Sequence, residues 1–144
     1  MIDKDPKNNL KVTQLLDPAT VTADGNSASV DLQGYNSVLF LVSVGESGDT
    51  LSGSVKIELE VEESSDDSTF TDAANVDVRD TVTGTNTGCF AVIDAATEDD
   101  AVYTCQYVGN KRYARVVVNV TGTHTNGTPL AILAVRGGAQ VLPV

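Results

Sequence analysis

The chain has no tryptophan, and aromatic residues make up only 5% of its 144 positions, so any core must be assembled from Val, Leu, Ile and Ala. Branched aliphatic side chains of that kind suit a pleated sheet. The same poverty argues against a sugar-binding platform, which wants exposed Trp or Tyr. There is a single histidine, His124, set in a polar loop with no identifiable nucleophile and orienting acid beside it in sequence. The expectation is an exposed, idle side chain rather than a general base. Two cysteines, Cys89 and Cys105, are too few for a disulfide scaffold or a Cys/His metal set, and the free-thiol state is expected for both. Cys89 lies in an apolar stretch, where burial raises a thiol's pKa and makes it inert.

Long hydrophobic runs are also missing. The longest, residues 38–42 and 130–135, fall far short of a bilayer span, and no apolar signal region follows Met1. The expected product is soluble and made in a cytosol. Positive charge is scarce: 9 Lys and Arg stand against 20 Asp and Glu, for a net charge of −11 and a pI of about 4.2. Such a chain repels phosphate backbones and anionic lipid, so neither nucleic acid nor a membrane is expected as partner. No cofactor is expected, because there is neither a glycine-rich phosphate loop nor a basic patch beyond Lys111, Arg112 and Arg115.

What the chain does have is alternation. Across residues 54–62, Val55, Ile57, Leu59 and Val61 interleave with Lys56, Glu58, Glu60 and Glu62. A period of two puts the first set on one face of a strand and the second on the other, which predicts an apolar core face and an acidic face toward water. Residues 112–121 alternate in the same way. Residues 37–44 form a continuous apolar stretch expected to be central and covered on both faces. Shorter strands are predicted at 20–23, 28–32, 69–71 or 75–79, 89–93, 101–108 and 130–136. Gly109-Asn110-Lys111 is predicted to join two of them as a hairpin. The four prolines, at positions 6, 18, 129 and 143, avoid every strand interior, and no helical period is visible.

The fold expected is all-β: an antiparallel β-sandwich, Greek key or jelly-roll-like, of eight or nine short strands, with a barrel as second choice. One domain is expected at 19–138, with an N-terminal arm at 1–18 and a tail at 139–144. The arm carries Ile2, Leu10, Val12, Leu15 and Leu16, and three readings stay open for it: a flexible leader, an extended arm that docks elsewhere, or a strand of the protein's own sheet.

Two acidic clusters offer hard oxygen ligands of the kind calcium takes: Asp66, Asp67 and Asp72, and Asp94, Glu98, Asp99 and Asp100. Neither has EF-hand spacing, and solvated turns are the expectation. A pair of acids for glycoside cleavage has no support, since carboxylate separation is not legible in sequence.

LEVEESSDDSTFTD (59–72) and YVGNKRYARVVVNVTGTHTNGTPLAILA (107–134), with DLQGYNS (31–37) and GCFAVID (88–94) in the same order, resemble a family of small structural proteins encoded among the head genes of tailed bacteriophages. The similarity covers most of the chain after about residue 20. It implies a non-enzymatic virion component, a capsid decoration or cement protein. Such a protein would bind the major capsid protein as a homotrimer on the outside of the head and stabilise the expanded shell. Candidate contacts are Ile2, Leu10, Val12, Leu15 and Leu16, together with Glu58, Glu60 and Glu62, which could meet a basic capsid patch or be a plain solvated sheet face. The alternatives are a carbohydrate-binding or adhesive sandwich, using the 64–70 loop, and a head-to-tail connector or tail-tube subunit.

Overall fold

The structure, a computed structural model, describes residues 4–144. It is an all-β sandwich of two antiparallel sheets. The first sheet runs β1 (Lys11–Val21), β10 (Thr128–Gly137), β4 (Ser37–Val44), β8 (Ala101–Tyr107) in spatial order. The second is built on β5 (Lys56–Ser64) and β9 (Tyr113–Thr121), which pair over their whole length. Short strands β2 (Gly25–Asn26) and β3 (Val30–Asp31) lie along the free edge of β9. Strands β6 (Thr71–Asp72) and β7 (Cys89–Ile93) lie along that of β5. A four-residue helical turn, α1 (Pro6–Asn9), precedes β1. Among the described residues no helix is long and apolar enough to cross a membrane.

Alternation builds the core. Phe40 and Val42 of β4, Ile132 and Ala134 of β10, Ile57, Leu59 and Val61 of β5, and Ala114, Val116 and Val118 of β9 all point inward and are buried. Glu63, inward-facing at the end of β5, accepts a hydrogen bond from the Tyr107 hydroxyl at 2.5 Å, and the Lys111 amide donates to that same hydroxyl at 3.1 Å. The 109–111 connection therefore wraps around the tip of Tyr107 and carries the chain from β8 in one sheet to β9 in the other. It is not the hairpin that its sequence predicts. The two strands it joins pair with β4 and β5 instead of each other.

Three further expectations are corrected. Strand β4 has the predicted bounds, but its burial alternates, with Val38, Phe40, Val42 and Val44 inside and Leu39 and Ser43 exposed, so it is covered on one face only. The segment expected as an arm is, from Lys11 onward, the edge strand of the first sheet, and the expected boundary at residue 18 falls inside β1. Leu15 is a core residue and Leu16 packs against the core. The register shifts on either side of Leu16, with Pro18 in the second irregular stretch, interrupt pairing on a long edge that would otherwise invite another strand. Ile2 lies outside the described residues.

Candidate functional site

The outer faces of the two sheets have opposite characters. On the first sheet the cross-strand register places Val12 and Gln14 of β1, Ala131, Leu133 and Val135 of β10, Leu39, Leu41 and Ser43 of β4, and Val102, Thr104 and Gln106 of β8 on one surface. None of these carries a charge, in a chain whose net charge is −11. The most exposed apolar side chains are Val102 at 60% and Val12 at 57%, with Leu39 and the adjoining Leu10 at just under 40%. Asp17, tied to the Gln14 side-chain amide, sits in the irregular stretch at the rim. An uncharged, largely apolar sheet face, interrupted by Gln14, Ser43, Thr104 and Gln106, on a strongly acidic protein is the feature of this surface that solubility does not explain.

Glu58, Glu60 and Glu62 share the outer face of the second sheet, as their alternation requires, but that face is not solvated. Glu58 is 3% exposed and Glu60 2%, while Glu62 is partly buried. The cause is the loop between Asp80 and Cys89, which folds back across β5 and β7. Gly84 lies directly on Cys89, and a Cβ there would collide with the Cys89 side chain and come within 3.3 Å of Glu58 Oε1, so the loop can approach only as glycine. Thr85 then donates to Glu58 through its amide at 3.1 Å and its hydroxyl at 2.7 Å, and Lys56 reaches the same carboxylate at 3.2 Å.

These partners separate the three acids electrostatically. Burial disfavours the Glu58 carboxylate, but the Thr85 and Lys56 hydrogen bonds outweigh it and hold the group below its ordinary pKa. For Glu60 burial wins and pushes the group up. The Asn119 and Asn86 side-chain amides beside it offset that only in part, and the nearby charges of Asp72 and Glu62 add to it. Asn86 donates to Glu60 Oε1 at 3.1 Å, whereas Oε2 is buried with no hydrogen-bond partner. Glu62 is held by Arg115, whose Nε and Nη2 both approach Oε2, at 2.7 and 2.6 Å, and whose guanidinium stacks 4.0 Å from the Phe70 ring centroid.

His124 is buried, against the expectation of an exposed loop residue. Asp49 accepts the backbone amides of Thr125, Asn126 and Gly127, which draws the loop down over the strand ends. Those bonds hold the Asp49 carboxyl below its usual range, the Asn126 amide foremost. The His124 ring then pairs through Nε2 with the Thr121 carbonyl at 3.1 Å. The two acidic clusters of the sequence are turn fasteners. Asp66 accepts the amides of Thr69 and Ser68 and the Ser64 hydroxyl, which hold it far below the carboxylate range. Glu98 accepts the amides of Asp94 and Ala95, and Asp99 that of Ser47. Asp72 belongs elsewhere: it pairs across β6 and β5 with Glu62. Both cysteines are free and buried.

No family model matches the chain, and no curated protein matches it.

Proposed function

We propose that this chain is a non-enzymatic structural protein of a virion, a decoration or cement protein that docks on the outside of an assembled phage head through the outer face of its first sheet. The observation that carries this reading is the absence of formal charge from that face, set against −11 for the chain. Like charge keeps free copies apart, while the uncharged face removes apolar surface from water when it meets a complementary one. On this reading the partner class, a major capsid protein, and the trimeric arrangement are what the resemblance of residues 59–72 and 107–134 to phage head proteins implies. Among the arm residues, Leu10 and Val12 are contacts on this reading, and Leu15 and Leu16 support the fold. Glu58 and Glu60 are withdrawn from any capsid contact by their burial.

Binding to the assembled shell and not to its separate subunits stabilises the shell by linkage, and many identical weak contacts act together. The test is co-sedimentation of the purified chain with heads stripped of their outer protein, alongside its mass by light scattering. Saturable binding at a copy number set by shell symmetry, with a trimer mass in solution or on the shell, is the expected result. A ring-sized mass without head binding would instead indicate a connector or tail subunit.

A further inference from the structure

Glu60, Glu62 and Asp72 come from two strands and share one spot on the outer face of the second sheet. One carboxylate oxygen from each lies within 4.8 Å of the other two. Carboxylates crowd this closely at a cost, and Arg115 relieves only part of it, because both of its contacts fall on Oε2 of Glu62. The set of three acids and one guanidinium is left two charges short of neutrality. The second observation is independent of the crowding: Glu60 is 2% exposed, yet its Oε2 has no hydrogen-bond partner, although buried carboxylate oxygens are normally paired.

We propose that these three residues bind a calcium ion. Calcium takes oxygen ligands at roughly 2.3–2.6 Å in flexible geometry, so three carboxylate oxygens gathered within 4.8 Å of one another can close on one ion with small side-chain adjustments. Magnesium demands near-ideal octahedral geometry at about 2.0–2.1 Å and gives up water reluctantly, which suits a site of three protein carboxylates less well. The ligands grade from the buried Glu60 through the half-buried Glu62 to the exposed Asp72, which provides an inner anchor and an open entry side. A divalent ion would supply the missing partner of Glu60 Oε2, balance the local charge, and add a link between β5 and the two-residue strand β6 to their ladder pairing. The site lies on the sheet opposite the apolar face and does not depend on its role.

The test uses the full chain, stripped with EDTA and dialysed, titrated with CaCl2 and then MgCl2 by calorimetry near neutral pH, with Tm measured in parallel. A site with few charged ligands is expected to bind calcium with a Kd of about 10⁻⁴–10⁻³ M. At 10 mM calcium that shifts the unfolding equilibrium roughly 10- to 100-fold, and Tm rises by about 4–8 °C. Glu60→Gln should abolish the heat and the Tm rise while folding normally in EDTA, since the new amide can donate to the neighbouring carboxylates. Asp72→Asn, at an exposed position, should weaken binding at least 10-fold. No heat at 10 mM calcium, magnesium bound as tightly as calcium, or wild-type affinity in both variants would overturn the assignment; the last would mean diffuse attraction to an acidic surface.

Discussion

Val102→Lys separates docking from folding. Val102 stands on β8 at the edge of the first sheet with 60% of its surface in water. In the free chain a lysine there remains solvated, and the stability change stays within about 0.5 kcal/mol, or about 2 °C in Tm. In the docked state the same change has two costs. Fully burying a Val side chain contributes roughly 1.5–3 kcal/mol, and docking can claim only the exposed part, about 1–2 kcal/mol. An ammonium set against an uncharged face also loses its water without gaining a partner, which adds about 1–3 kcal/mol. The expected result is binding to stripped heads weakened on the order of 100-fold with unfolding unchanged.

Val82→Lys is the control, because Val82 is 44% exposed on the loop that covers the other sheet. Wild-type head binding by Val102→Lys, or equal loss in Val82→Lys, would refute the assignment of the docking face. The same arithmetic speaks to valency. Completing the burial of Leu10, Val12, Leu39 and Val102 contributes roughly 3–6 kcal/mol, no more than the lower part of the range that association costs in lost freedom. One copy on one site would dissociate readily, so a stable coat requires several such contacts around an axis.

Glu58→Gln should destabilise the chain by about 1–3 kcal/mol at pH 7, read by chemical denaturation, since charge-assisted bonds from Thr85 and Lys56 are lost. Its folded pKa is lowered, so the stability it contributes is present above the unfolded value of 4.5 and fades as pH falls through the lower folded value. The difference between wild type and variant should therefore shrink in acid, and a constant difference down to pH 3 would exclude the ionic explanation. Cys89 and Cys105 are both 1–2% exposed, and burial raises both thiols, so neither should react with a thiol reagent at pH 8 until the chain unfolds. Prompt labelling of either would contradict the packing.

The strands were legible because alternation is a local property. Residues 37–44 and 89–93 read as strands with the bounds that β4 and β7 have. Where strands pair is not local. Gly109-Asn110-Lys111 has hairpin chemistry, yet β8 and β9 pair with β4 and β5 in different sheets, and the connection wraps the Tyr107 hydroxyl, bonded to Glu63 of the opposite sheet. The same limit governs the acids. That Glu58, Glu60 and Glu62 share a face follows from their spacing, but what covers the face depends on a loop more than twenty residues away, as the Thr85 and Asn86 bonds show. The signal that would have found the buried cluster was the mid-loop glycine, Gly84, among hydroxyls and amides able to satisfy carboxylates.

Each sheet has one inward and one outward set of side chains, and the two outward sets have met different fates. On the second sheet the set is acidic, and the chain spends the 80–89 loop and the Arg115–Phe70 stack on covering it. On the first it is uncharged and largely apolar, and Val12, Leu39 and Val102 stand exposed on it. A chain folding only for its own stability would put that loop on the apolar face, where burial contributes roughly 25 cal/mol per Å², and leave the carboxylates hydrated, where they cost nothing. The inverse arrangement is what the proposed docking role would require: the largely apolar side left open for a partner, and the acids packed under the Thr85 and Asn86 hydrogen bonds.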